Sequence, residues 1–157
     1  MREWNEINSQ EDIDFFMKCT GDMHDSVLVS ADYSTGCGST GSGMILRGET
    51  IEYALRLMFD SEWTKRIELL FTGVRHFNMC GFRDDYMNDI YGCYLQFHTE
   101  LMGKTRDDRL IVWSDSGFEP IMKGTHIDLK DSDTSFVIAE KMQWRFINKR
   151  KRDAEIC

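Results

Sequence analysis

Proline and long apolar runs are both scarce in this sequence. The 157 residues include a single proline, Pro120, and the longest unbroken apolar runs, such as residues 110–113, contain four residues. A membrane-spanning helix needs about 20 apolar residues, so the sequence predicts none. Residues 1–25 also lack the apolar stretch of a secretory signal. These absences predict a cytoplasmic protein that does not associate with membranes.

The five cysteines form no recognisable disulfide or metal-binding pattern. Their number is odd, and no two have the C-x-x-C spacing. Cys93 belongs to an alternating apolar set with Tyr91, Leu95 and Phe97, which predicts a position in the core. The four histidines include no H-x-H or H-x-x-x-H pair. We therefore expect reduced thiols, no bound metal and no cofactor.

Acidic residues outnumber basic ones, and the last nine residues are an exception with a net positive charge. The formal net charge is −8, from 19 basic and 27 acidic residues. Residues 149–157 contain four of the basic and two of the acidic residues, so residues 1–148 have a net charge of −10. A nucleic-acid-binding protein needs clustered lysine and arginine, so we expect no nucleic-acid partner. The sequence predicts a single β-rich domain over residues 1–148 and a short charged tail over residues 149–157.

One helix is predicted near the N-terminus. Ser9 is a suitable N-cap, acidic residues follow it in the first turn, and Gly21 is a suitable C-cap. Between these ends, Ile13 and Phe16 fall on one helical face. No second amphipathic helical pattern follows, so crossover helices between parallel strands are not expected.

Most of the remaining sequence alternates between apolar and polar residues, which is typical of strands. One face of the last and clearest segment is predicted to carry Phe136, Ile138, Met142, Trp144 and Phe146. Glu140 interrupts that face, which predicts a bulge or a buried, paired carboxylate. Short breaks between the strands favour antiparallel connections. The predicted fold is mainly β, an antiparallel sandwich or a strongly curved sheet with one N-terminal helix.

A glycine-rich stretch between two predicted strands spells G-x-G-x-x-G from Gly36 to Gly41. A dinucleotide fingerprint would open a helix, but this run leads into residues 43–46, which have the composition of a strand. A phosphate-binding P-loop would have Lys-Ser or Lys-Thr where Ser42-Gly43 stands. The stretch is therefore interpreted as a flexible hairpin loop.

The most conspicuous polar cluster is His24-Asp25-Ser26, at the junction between the predicted helix and the first long strand. A histidine beside a carboxylate is typical of a general base with an orienting acid, so His24 and Asp25 are the candidate catalytic residues. A structural junction, in which Asp25 or Ser26 accepts backbone N–H bonds, is favoured over catalysis. The enzymatic alternative is a small-molecule binder or hydrolase with its site near this pair.

Adjacent acidic residues occur in two turn-like segments. Asp84, Asp85 and Asp89 lie in one segment, and Asp107 and Asp108 lie in the other. Together with the negative net charge, they predict an acidic surface that engages a basic protein. The function favoured by the sequence is therefore non-enzymatic, stoichiometric protein binding. A structural subunit of a homo-oligomer is a third alternative.

Several short motifs stand in a fixed order along the chain. They are Trp4, Asp12-Ile13, Met23-His24-Asp25-Ser26, a series of strands, and Met142-Gln143-Trp144-Arg145. This order resembles that of small uncharacterised bacterial proteins with an early His-Asp-Ser and a late Trp-Arg. Some acidic, single-domain members of that group look like immunity proteins of toxin systems. The resemblance implies a β-rich fold and a protein partner, and it assigns no catalytic residue.

Overall fold

The computed structural model describes most of the chain. The described residues are 3–81, 89–101, 109–117, 121–123, 126–128 and 134–148. The predicted tail, residues 149–157, lies outside them. In the described part, no helix is both long enough and apolar enough to span a bilayer.

The single described α-helix, α1, spans Gln10–Thr20 and has the predicted ends. The backbone N–H of Asp12 donates to the Ser9 side-chain oxygen at 3.2 Å, which satisfies one of the free donors of the first turn. At the other end, Gly21 adopts a left-handed conformation with φ 60°. The buried face includes Ile13 and Phe16, as predicted. The Phe16 ring meets Trp144 edge-on, with 5.3 Å between ring centroids.

Strands make up most of the described structure, and every strand pair in it is antiparallel. In chain order they are β1 (Asn5–Glu6), β2 (Ser26–Ser34), β3 (Gly38–Ser39), β4 (Ile45–Leu46), β5 (Ala54–Ser61), β6 (Arg66–Asn78), β7 (Asp89–Ile90), β8 (Tyr94–His98), β9 (Leu110–Ser114), β10 (Ile121–Lys123), β11 (His126–Asp128) and β12 (Phe136–Ile147). A 3-10 turn spans Thr50–Glu52.

The main sheet has the order β7-β2-β5-β6-β12-β9-β8, with β1 paired to β12. It curls into a half-barrel, which confirms the mainly β prediction and, of its two alternatives, the strongly curved sheet. Two further hairpins, β3–β4 and β10–β11, are separate from it. The first of these is the glycine-rich stretch, so its interpretation as a hairpin is confirmed.

The main core lies between the sheet and α1. Most of its side chains come from alternate positions of β5, β6, β9 and β12: Leu55, Leu57, Phe59, Ile67, Leu69, Phe71, Ile111, Trp113, Val137, Ala139, Met142 and Trp144. A second, smaller cluster contains Leu101, Leu110, Val112, Phe136 and Ile138. The predicted shared face of the last strand is therefore wrong, since Phe136 and Ile138 belong to a different cluster from Met142 and Trp144.

The change of face on β12 falls between Ala139 and Met142, beside Glu140. The pairing of β6 with β12 shifts between Ile138 and Ala139, so Arg75 is the extra residue of a bulge. Gly73 lies opposite with φ 65°, and a Cβ there would come within 2.8 Å of the Glu140 side chain. Glu140 forms an ion pair with Arg75. The prediction of a bulge at this position is confirmed.

A charged cluster joins three strands on the other face of the sheet. The Glu68 side chain is only 3% exposed and accepts hydrogen bonds from Arg56 Nη1 at 2.8 Å and Arg145 Nε at 2.5 Å. The Arg145 guanidinium also stacks over the Trp4 ring, 4.2 Å from its centroid. This cluster links β5, β6 and β12, because each strand contributes one of the three charges.

Candidate binding site

The His24–Asp25 junction is held by backbone hydrogen bonds to two other segments. Asp25 has a left-handed φ of 54°, which closes the turn between α1 and β2. Its N–H donates to the Ile90 carbonyl at 2.8 Å, and its carbonyl accepts from the Glu62 N–H at 3.1 Å. The junction therefore fixes the start of β2 against β7 and against the turn that follows β5.

The Asp25 carboxylate is the centre of a small polar network. It accepts a hydrogen bond from Trp63 Nε1 at 2.6 Å, and His24 Nδ1 lies 3.0 Å from it. The Trp63 hydrogen bond, followed by contact with His24, holds the pKa of Asp25 below its ordinary value. The His24 and Asp25 side chains are 51% and 40% exposed, so the network faces solvent.

Two large aromatic side chains project into solvent beside this network. Trp63 is 74% exposed and Tyr91 is 77% exposed. The Tyr91 ring lies edge-on to His24, with 6.3 Å between ring centroids. The prediction that Tyr91 belongs to the core is wrong, because β7 ends at Ile90 and Tyr91 lies in the bend before β8. Cys93 and Leu95 of the same set are buried, as predicted.

Acidic residues from three segments surround the same place. Val27 of β2 is paired with Asp60 of β5 on one side and with Asp89 of β7 on the other. Directly opposed residues of neighbouring strands project from the same face, so both carboxylates flank Val27. The cleft between them has a volume of about 320 Å³ and is also lined by Asp25 and Glu62. Arg66 neutralises part of this charge through a two-point ion pair with Asp60.

We call this region the acidic–aromatic surface, comprising His24, Asp25, Asp60, Glu62, Trp63, Asp89 and Tyr91. It can bind cationic side chains, because carboxylates attract them and exposed indole and phenol rings provide cation–π contacts. Among the described residues, no hydroxyl or thiol nucleophile is hydrogen-bonded to His24. The described part of the chain also contains no group of three or more histidine, cysteine or acidic residues that could hold a metal ion.

The structure brings together three of the residues predicted from sequence. His24, Asp25 and Asp89 belong to the acidic–aromatic surface. The other predicted acidic residues, Asp84, Asp85, Asp107 and Asp108, lie outside the described residues.

Sequence reasoning missed Asp60, Glu62, Trp63 and the outward position of Tyr91. A usable signal existed for Trp63, which is a large aromatic residue within the polar turn sequence Ser61-Glu62-Trp63-Thr64-Lys65. A tryptophan in such a turn is not expected to pack into the core.

An exposed cysteine with several hydrogen-bond contacts lies elsewhere, at the base of the β3–β4 hairpin. Cys37 Sγ is 3.3 Å from both the Tyr53 hydroxyl and the Gly48 amide nitrogen. Hydrogen bonds with Thr35, Tyr53 and Gly48, in that order, lower the pKa of the Cys37 thiol. No second cysteine or histidine contacts this thiol among the described residues, so we assign it no function.

Comparison with known proteins gives no family for this chain. No protein-family model matches it, and neither curated proteins nor solved structures provide a match. The geometry of the acidic–aromatic surface is therefore the basis for the proposed function.

Proposed function

We propose that this protein is a non-enzymatic, cytoplasmic binding protein that engages a basic protein partner through the acidic–aromatic surface. The supporting observation is the exposure of Trp63 and Tyr91 beside the cleft lined by Asp25, Asp60 and Asp89. The resemblance to immunity proteins of toxin systems, which also bind a protein, belongs to the same proposal.

The physical basis is a division of roles between aromatic and acidic side chains. Tryptophan and tyrosine are enriched among the few residues that contribute most of the affinity at protein interfaces. Carboxylates around them select a basic partner and accelerate association by electrostatic steering. The net charge of −8 adds a long-range attraction for a positively charged partner. Salt should therefore slow association, because it screens charges over about 8–10 Å.

A matched pair of charge-reversal variants tests the proposal. The surface variant carries Glu62→Lys and Asp89→Lys, and the control variant carries Glu3→Lys and Asp14→Lys on the exposed N-terminal segment and α1. Both change the net charge by the same amount. Immobilised wild type and control should enrich the same basic protein from extract of the source cells, identified by mass spectrometry. The surface variant should bind the purified partner at least about tenfold more weakly, or about 1.4 kcal/mol.

Two outcomes would overturn the proposal. The first is that the wild type enriches no basic protein. Equal loss of binding in both variants is the other, because it would show that only the net charge matters. A salt-independent association rate would argue against the electrostatic part.

A hydrolase with His24 as general base is the second candidate function. The 3.0 Å contact between His24 Nδ1 and the Asp25 carboxylate favours it, since that contact would orient the imidazole. Asp25→Asn should then abolish hydrolysis of a small ester or phosphoester that the wild type hydrolyses. A protein that hydrolyses neither class leaves the binding proposal in place. The third alternative, a homo-oligomer subunit, predicts a sedimenting species larger than one chain.

A further inference from the structure

In the described part of the chain, most of the outer edge of strand β2 is unpaired, next to the acidic–aromatic surface. On its outer side, β7 covers Ser26 and Val27, and no other described strand pairs along that side. Residues 29–34 are all exposed, including Val29 at 49% and Tyr33 at 42%. An edge of this kind presents unpaired backbone donors and acceptors, which a further strand can use. The apolar alternation that marks β2 as a strand is therefore largely exposed rather than buried.

The pairing of β2 with β5 shows which side chains project from each face at this edge. Ala31 and Tyr33 lie opposite Leu57 and Leu55, which are buried, so they project from the core side of the sheet. The Tyr33 ring there contacts Phe77, with 4.8 Å between centroids.

Polar residues alternate with these on the outer face. Asp32 lies opposite the exposed Arg56 and therefore projects outward. Val27, Asp60 and Asp89 share that outer face, because Asp60 alternates along β5 with buried Phe59 and Asp89 precedes buried Ile90. The outer face therefore carries Asp60 and Asp89 beside Val27, and Asp32 opposite Arg56 farther along the edge.

We propose that the basic partner contributes an extended segment that adds to this edge as an antiparallel strand beside residues 29–34. Its outward side chains are basic, one of them opposite Asp32, and its inward side chains are apolar, beside Ala31 and Tyr33. The inference rests on the proposed function and specifies the partner segment as a strand of alternating basic and apolar residues.

Two physical features favour such a strand over a helix or a loop. Backbone pairing along an open edge supplies affinity that is independent of sequence, while alternate side chains supply specificity. β7 already pairs antiparallel with Ser26 and Val27 of β2, and an added strand beside residues 30–34 would begin after the register shift between Leu28 and Ser30. Opposite charges directly across neighbouring strands stabilise pairing, whereas like charges destabilise it. A second copy of this chain would bring another Asp32 to the same edge.

Short synthetic peptides test the inference directly. The main probe is a fluorescent, end-blocked nine-residue peptide of alternating lysine and valine, and binding is followed by anisotropy. The first control has the same composition with all lysines before all valines, and the second alternates glutamate and valine. We expect the alternating basic peptide to bind at least tenfold more tightly than either control. Equal binding of both basic peptides would overturn the strand model and leave charge-driven binding intact.

Two N-methylated forms of the main peptide separate backbone pairing from charge. One is methylated on the lysine amides and the other on the valine amides, and these two sets point to opposite edges of a strand. One form should lose at least tenfold in affinity, and the other should retain the affinity of the parent peptide. Loss in both forms, or in neither, would overturn the proposal.

Variants of the protein complete the test. Asp32→Lys and Asp32→Asn should each weaken binding of the alternating basic peptide, by at least tenfold for lysine, whereas Asp14→Lys should change it less than threefold. The uncharged variant keeps the test valid if lysine beside Arg56 disturbs folding. If a basic protein co-purifies equally well with the wild type and with Asp32→Asn and Val29→Lys, that result would overturn strand addition but not the proposed function. Dimerisation through the β2 edge, abolished by Val29→Lys, would show a second copy as the occupant and overturn it as well.

Discussion

The indole N–H of Trp63 donates to the Asp25 carboxylate at 2.6 Å, although the two residues are 38 positions apart. The bond joins the turn after β5 to the start of β2, and it leaves most of the indole exposed. A tryptophan held in place while its ring faces solvent loses little conformational entropy on binding. The same contact therefore explains both the lowered pKa of Asp25 and a preformed aromatic anchor.

Replacing Trp63 by phenylalanine should raise the pKa of Asp25 toward its ordinary value, because the strongest hydrogen bond to the carboxylate is removed. A carboxyl whose folded-state pKa is lowered stabilises the fold above its ordinary pKa of 3.8, and this contribution is lost as the pH falls through the folded-state value. The stability difference between wild type and Trp63→Phe should therefore shrink in acid. NMR titration of the Asp25 carboxyl carbon measures the pKa. An unchanged pKa in the variant would contradict the network described here.

Cys93 should make the protein less stable in alkali. Burial raises the pKa of its thiol from 9.0 to about 12. Unfolding between these values releases a proton, so this contribution to stability is complete below about pH 9 and falls by up to about 1.4 kcal/mol per pH unit above it. Urea unfolding of wild type and Cys93→Ala from neutral to alkaline pH measures the difference. Parallel pH profiles for the two proteins would show that the thiol ionises normally.

Gly48 should tolerate no side chain, whereas Gly38 in the same hairpin should accept one. A Cβ at Gly48 would lie 1.8 Å from the Thr35 carbonyl oxygen, and at Gly38 it would meet no atom within 4 Å. Gly48→Ala must therefore displace backbone at the base of the hairpin, which also removes the contact of its amide with Cys37. We expect Cys37 to be alkylated more slowly in Gly48→Ala than in the wild type, and at the wild-type rate in Gly38→Ala. Peptide mapping after brief iodoacetamide treatment measures it, and equal rates would refute the clash.

Glu68 should be needed for stability although it lies on the face opposite the main core. Glu68→Leu leaves Arg56 and Arg145 without their shared carboxylate, and hydrogen bonds to charged groups contribute about 1.5–3 kcal/mol. We expect a loss of about that size in the free energy of unfolding, measured by urea denaturation. Glu3→Leu, an exposed control, should change it by less than about 0.5 kcal/mol. A neutral or stabilising Glu68→Leu would show that desolvation of the cluster cancels its attraction.

Local sequence was sufficient to predict α1 and the mainly β fold. Ser9 and Gly21 end the helix through contacts within a few residues, and alternation along β5 matches the burial of its side chains. The Glu140 irregularity was also visible, because one charged residue interrupts an otherwise apolar face. Its consequence was not, since Ala139 and Met142 both enter the main core although they are three residues apart.

The candidate surface was decided by tertiary structure. His24 and Asp25 are adjacent in sequence and were found, but Trp63 and Asp89 reach them only because β5 and β7 flank the start of β2. Exposure of the apolar residues of β2 likewise accompanies the short cover by β7, which among the described strands pairs only with Ser26 and Val27 on that side, and alternation by itself does not reveal this. Periodicity determines the type of each element, whereas strand order determines which side chains meet and which remain open to a partner.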